Sequence, residues 1–137
     1  MALLTWRDQL SVGSSEIDDD HKNLIGFVNA LHDAVTASES EKVVGAIMLQ
    51  LIEYTRDHFA REEKVMQAAG YPDFPRHKKL HDALTRQVLV FAQNYLRNPT
   101  VQVKRELIDF LAKWLVEHII KEDRRIGEYM RGKKVWL

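Results

Sequence analysis

Apolar side chains recur along this chain at intervals of three and four, in four blocks separated by short polar breaks. That spacing marks amphipathic helices, because a turn of about 3.6 residues brings such positions to one face. The first block carries His21, Leu24, Ile25, Val28, Leu31 and Val35. It opens after Ser14-Ser15-Glu16-Ile17, where Asp18, Asp19 and Asp20 favour a helix start by capping and by their charge against the helix dipole. The pattern stops around Ala37-Ser38-Glu39-Ser40 and resumes through Val44, Ile47, Met48, Leu51, Thr55, His58, Glu62, Val65, Met66 and Ala69. Gly70-Tyr71-Pro72-Asp73-Phe74-Pro75 ends this second helix with a turn rich in backbone breakers.

The third stripe reads His77, Leu80, His81, Leu84, Val88, Phe91 and Tyr95, and breaks at Asn98-Pro99. The fourth reads Val103, Leu107, Phe110, Leu111, Trp114, Leu115, His118 and Ile119, with a short tail helix expected from Arg124 to Met130. Short connections favour antiparallel neighbours. The expected fold is therefore all-α, an up-down-up-down four-helix bundle with an N-terminal arm and a short C-terminal helix. At 137 residues the chain reads as a single domain, residues 1–137.

Charge and cysteine content narrow the chemistry. Lysine plus arginine number 20 and aspartate plus glutamate 20, so the net charge is zero and nothing marks a binding site for nucleic acid or an anionic membrane. Cysteine is absent, which excludes disulfides, thiolate zinc sites, iron–sulfur clusters and a cysteine nucleophile. The opening Met1-Ala-Leu-Leu-Thr-Trp-Arg-Asp turns polar too soon for a signal peptide, and no apolar run approaches the roughly 18 residues of a membrane span. The expectation is a soluble, cytoplasmic protein without membrane insertion.

Against that background the histidines stand out. His21, His58, His77, His81 and His118 all fall on apolar stripes, together with Glu62. One such histidine is an ordinary core or half-buried residue; five need a common cause. His58 and Glu62 are four apart on one predicted helix, as are His77 and His81, so each pair projects from one face within about 6 Å. Counted from the break at Glu39, His21 lies 18 residues before and His58 19 after, a level difference of about 1.5 Å at helical rise. Counted from Asn98, His81 lies 17 residues before and His118 20 after, which agrees in level to about 5 Å. All five histidines thus converge at one end of the core. Unpaired imidazoles and a carboxylate in a dry interior would cost on the order of several kcal/mol, which a bound metal offsets.

Asp123 follows His118 by five residues, about 140° around a straight helix. It turns inward only if the helix ends or widens there, and spacing leaves both Asp123 and its neighbour Glu122 open as ligand or solvated acid. Five imidazoles with one or two carboxylates exceed the needs of one ion and suit two. Iron, zinc, copper and nickel all accept such donors.

The chain resembles the hemerythrin family, specifically single-domain bacterial hemerythrins. The resemblance spans nearly the whole chain and rests on Leu4-Thr-Trp6 and Ser11-Val-Gly13, Ile17-Asp-Asp-Asp-His21, His58-Phe-Ala-Arg-Glu62, His77-Lys-Lys-Leu-His81, and Trp114-Leu-Val-Glu-His118-Ile-Ile-Lys-Glu-Asp123. It implies two non-haem iron ions bridged by Glu62, Asp123 and an oxo or hydroxo group. It further implies His77, His81 and His118 on one iron, and His21 and His58 on the other, where dioxygen binds. Trp114, Ile119, Ile120 and Phe59 read either as plain core or as the apolar lining of the oxygen pocket, a role the resemblance favours. Such a lining would exclude water and anions.

His32 is eleven residues from His21, about 16 Å further along the helix, and reads as a structural or surface residue. Asp18, Asp19 and Asp20 are explained by a capped helix start. Trp6 and Trp136 read as anchors of the terminal arms.

The function implied is reversible dioxygen binding for storage, transport or delivery, with a protein partner that receives oxygen as one possibility, rather than catalysis. A ferritin-like di-iron oxidase is the first alternative, but such bundles use Glu-x-x-His pairs and more carboxylates, and no glutamate here has histidine three residues on. A dinuclear hydrolase would need an open, polar mouth, and an oxygen or iron sensor module would need a partner for its output.

Overall fold

The computed structural model describes residues 3–131. Four long helices, α1 (Ser15–Thr36), α2 (Glu41–Ala69), α3 (Phe74–Arg97) and α4 (Val101–Glu117), carry the four stripes. From α4 the chain continues without a break through a π-helical turn, His118–Asp123, into α5 (Arg124–Arg131). α1 packs on α2 and α4, and α3 on α2 and α4, closing the ring of a four-helix bundle. Among the described residues no helix is long and apolar enough to cross a membrane.

Local chemistry fixes the helix ends. The hydroxyls of Ser14, Ser40 and Thr100 accept hydrogen bonds from the backbone N–H three residues on, at 3.4, 3.3 and 3.2 Å, and so start α1, α2 and α4. α1 therefore begins at Ser15, earlier than the aspartate run suggested, with Ser14 as its cap. Gly70, at φ +65°, stops α2 in the left-handed conformation that glycine tolerates best. Pro75 sits in the first turn of α3, where its missing N–H is harmless.

The inward stripes build a main core that includes Leu24, Val28, Leu31, Val44, Leu51, Leu107, Leu111 and Leu115. A second, smaller cluster of Met66, Tyr71, Ile126 and Met130 closes the end of the bundle. Along α2 the buried sequence runs from Leu51 through His58 and Glu62 to Met66, and along α4 and α5 from Leu115 through His118 and Asp123 to Ile126. The polar residues thus lie between two apolar plugs.

The N-terminal arm is tied down at several points. Asn29 grips the backbone of Leu4 twice, its side-chain oxygen accepting from the N–H and its amide donating to the carbonyl, both at 2.8 Å. Lys22 lies over the Trp6 ring. Asp18 accepts from Ser11 Oγ at 2.6 Å and from the Val12 N–H at 2.9 Å, and Arg124 donates to the Gln9 carbonyl. Leu10 and Val12 are buried, and the Val12 carbonyl lies directly against Gly127 of α5. Trp6 therefore anchors the arm as expected, while Trp136 lies outside the described residues.

Candidate metal centre

His21 projects from the beginning of α1, His58 and Glu62 from the second half of α2, and His77 and His81 from the beginning of α3. His118 and Asp123 open and close the π-helical turn. All seven are buried. The turn resolves the geometry that a straight helix forbids, because i→i+5 hydrogen bonding sets residues five apart one above the other. His118 Nε2 and Asp123 Oδ1 are 2.9 Å apart. Glu122 points the other way, to Arg76 at 2.6 Å.

The donor atoms form two groups, Glu62, His77, His81, His118 and Asp123 in one, and His21, His58, Glu62 and Asp123 in the other. Within each group the atoms lie within 4.8 Å of one another, and the two carboxylates belong to both. His21 Nε2 is 2.7 Å from Asp123 Oδ2, and His77 Nε2 and His81 Nε2 are each 3.0 Å from Glu62 Oε1. Short separations do not mean satisfied groups here. Nε2 of His58, His81 and His118, Oε2 of Glu62 and Oδ1 of Asp123 are buried with no hydrogen-bond partner. Orphaned buried polar atoms cost about 1–3 kcal/mol each, so a cluster of them needs a shared partner. The donor atoms of each group are close enough to share one ion, and the all-nitrogen-and-oxygen donor set suits a first-row cation. These residues fit a non-haem metal centre.

The electrostatics agree. Burial and the nearby Asp123 charge push the Glu62 carboxyl up, but His58, His118 and His77 hold it below the ordinary range. Burial likewise raises Asp123, while His118, His21 and His58 hold it far below. Burial lowers His58, yet Glu62, Asp123 and Asp20 lift it to about 9. His77 and His118 rise against burial to about 9 and about 10 through Asp123 and Glu62. The two buried carboxylates thus favour positive charge beside them.

Two acids outside the cluster hold its histidines from behind. Asp20 Oδ2 accepts from His58 Nδ1 at 3.0 Å, and Glu63 Oε2 accepts from His81 Nδ1 at 2.8 Å. Asp20 in turn receives both Arg61 Nε and Nη2, at 3.0 and 2.9 Å, and Tyr54 OH at 2.8 Å. Reading Asp20 as part of a capped helix start is therefore corrected: Ser14 is the cap, Asp18 binds the arm, and Asp20 serves the neighbouring helix. The available signal was position, since Asp20 precedes His21 and Glu63 follows Glu62, each at the rim of a buried stripe.

Aromatic rings cover one side. Phe59 stacks on His81 at 3.8 Å and 7° and meets Trp114 and His118 edge-on. Trp114 lies over His118 at 5.8 Å. Leu80, Leu84, Phe110, Trp114 and His118, together with the polar Gln87, Lys113, Glu117, Lys121 and Glu122, line an open groove of about 350 Å³ between α3 and α4. The side chains of Ile119 and Ile120 lie outside those described. His32 is partly exposed, pairs with neighbouring Asp33 at 3.4 Å, and takes no part in the cluster.

Comparison with known proteins agrees with this geometry. The profile of the hemerythrin HHE cation binding domain matches residues 12–129. The chain is 38% identical to the bacteriohemerythrin of Methylococcus capsulatus over 129 residues, covering 93% of this chain and 96% of that one. To the bacteriohemerythrin of Stenotrophomonas maltophilia it is 33% identical over 132 residues, 96% of this chain and 84% of that one. A wild-type hemerythrin crystal structure superposes with a TM-score of 0.80 at 33% identity, covering 94% of this chain and 98% of the other. With its seven converging donors and these likenesses in sequence and fold, the chain belongs to the hemerythrin family.

Proposed function

We propose that this protein binds dioxygen reversibly at a di-iron centre, with His77, His81 and His118 holding one iron, His21 and His58 the other, and Glu62 and Asp123 bridging them. The observation that carries this reading is the sharing of both carboxylates between the two donor groups. Three imidazoles serve one group and two the other, so the two-histidine side is where a small exogenous molecule has room to bind. When bound, an iron pair supplies the two electrons that dioxygen takes up and returns.

The chain's own residues favour binding over turnover. Glu62 and Asp123 remain ionised and bring two negative charges to balance the cations. Phe59 and Trp114 pack over His81 and His118, which are both buried.

The test is to load the protein anaerobically with ferrous iron, count the metal, admit oxygen and cycle to vacuum. Two irons per chain and a visible charge-transfer band that appears and fades over repeated cycles are expected. An irreversible spectral change with consumption of oxygen overturns the carrier reading, and failure to retain iron overturns the choice of metal.

A further inference from the structure

We propose that Asp20 and Glu63 are positioning residues, one for each half of the centre, which act through His58 and His81 to fix metal retention and reduction potential. This inference rests on the ligand assignment above. Its physical basis is the two ring nitrogens of each histidine. In His58, Nδ1 faces Asp20 at 3.0 Å while Nε2 faces the cluster, 3.5 Å from Glu62. In His81, Nδ1 faces Glu63 at 2.8 Å while Nε2 lies 3.0 Å from Glu62. A carboxylate accepting from Nδ1–H keeps the proton on that nitrogen, leaves the Nε2 lone pair free and makes it more basic.

Among the described residues the other three histidines lack this support. Nδ1 of His21, His77 and His118 is buried with no hydrogen-bond partner. The proposed ligand split therefore gives each half a single carboxylate-backed imidazole. The two acids are also held differently. Asp20 is clamped by both Arg61 nitrogens and Tyr54 OH, and Tyr54 OH itself accepts from Asn23 at 2.9 Å. Among the described residues Glu63 has, besides His81, Lys78 at 3.6 Å. Asp20 is thus the more rigid of the two, and its loss falls on the half with fewer imidazoles.

Asp18 provides the internal comparison. It lies two residues from Asp20 on the same helix, but its oxygens go to Ser11 and Val12 of the arm. A merely structural carboxylate at this end of α1 should behave like Asp18.

The experiment uses full-length protein loaded with iron, an excess of a ferrous chelator to follow iron release, and redox titration of the loaded centre. Asp20→Ala and Glu63→Ala are each expected to release iron about 10–100-fold faster than the parent, the range found when such partners are removed. Asp20→Ala is expected to show the larger effect. Potentials should rise, because less negative charge reaches the ferric state through the imidazole. Asp20→Asn is nearly isosteric and keeps an acceptor oxygen. It should raise the potential while releasing iron more slowly than Asp20→Ala, and it remains informative if Asp20→Ala fails to fold. Asp18→Ala should lower the melting temperature yet leave release rate and potential at parental values. Parental release and potential in both Asp20 variants overturn the inference, as does equal acceleration by Asp18→Ala. A parent that does not retain two irons overturns the ligand assignment and this inference together.

Discussion

Adding one methyl group at Gly127 should unfasten the N-terminal arm. A Cβ built there lies 1.8 Å from the Val12 carbonyl oxygen and 2.9 Å from its carbon, both backbone atoms that no rotamer change can move. Ordinary contact begins at 3.4 Å, so the arm and α5 must separate by about 1.6 Å, the difference between contact and the built position. Leu10 and Val12 are buried on that arm. Fully burying such a side chain is worth about 1.5–3 kcal/mol, so exposing both in part loses about 2–4 kcal/mol. Alanine is favoured over glycine within a helix by about 1 kcal/mol, leaving a net destabilisation of about 1–3 kcal/mol. For a chain of this length that corresponds to a fall in melting temperature of about 3–10 °C. Circular dichroism melts of Gly127→Ala, Gly26→Ala and Gly45→Ala in one metal state provide the assay. At Gly26 and Gly45 nothing lies within 4 Å of an added Cβ, so those variants should gain about 0.4–1 kcal/mol. A Gly127→Ala protein that melts at or above the parent refutes the close approach.

Glu62→Ala should lower bound iron below two per chain by metal analysis, because Glu62 belongs to both donor groups. Lys104 is buried, bonded to Glu41 and set over the Tyr95 ring. Since Glu41 is half exposed, Lys104→Met leaves no buried charge behind; stability in urea should stay within about 1 kcal/mol of the parent, and a marked loss contradicts this. Arg76 holds the Glu122 carboxyl below its ordinary 4.5. A depressed acid contributes stability that is complete above its unfolded value and is lost as pH falls through the folded one. Glu122→Gln should therefore weaken the protein at neutral pH and flatten its acid unfolding below about pH 4.5, and parallel acid curves for the two proteins would contradict the pairing.

The helices and most of the centre were legible because they depend on periodicity and on level. His21, His58, His77, His81 and His118 each occupy a position where an aliphatic residue would serve packing better, and the helix lengths bring them to one end. Asp20 and Glu63 were not legible as partners. A charged residue beside a buried stripe looks the same in sequence whether it faces solvent or reaches a neighbouring helix. Gly127 was equally silent, because the carbonyl that requires it comes from Val12, at the other end of the chain. Spacing left Asp123 open beside Glu122, and only the resemblance favoured it, since five residues from His118 fall off-face on an unbroken α-helix.

The π-helical turn leaves a trace in the numbering of the apolar stripe. Leu111, Leu115, His118, Asp123, Ile126 and Met130 are the buried positions along one face, and their intervals run four, three, five, three, four. Take one residue out of the turn and the series becomes four, three, four, three, four, the heptad rhythm of a helix in a bundle. α4 and α5 are therefore one helix interrupted by a single additional residue, with the faces before and after it still aligned. Counted this way, Ile126 and Met130 belong to the same seam as Leu111 and Leu115, and a lone interval of five in an otherwise regular seam points to where a helical chain widens.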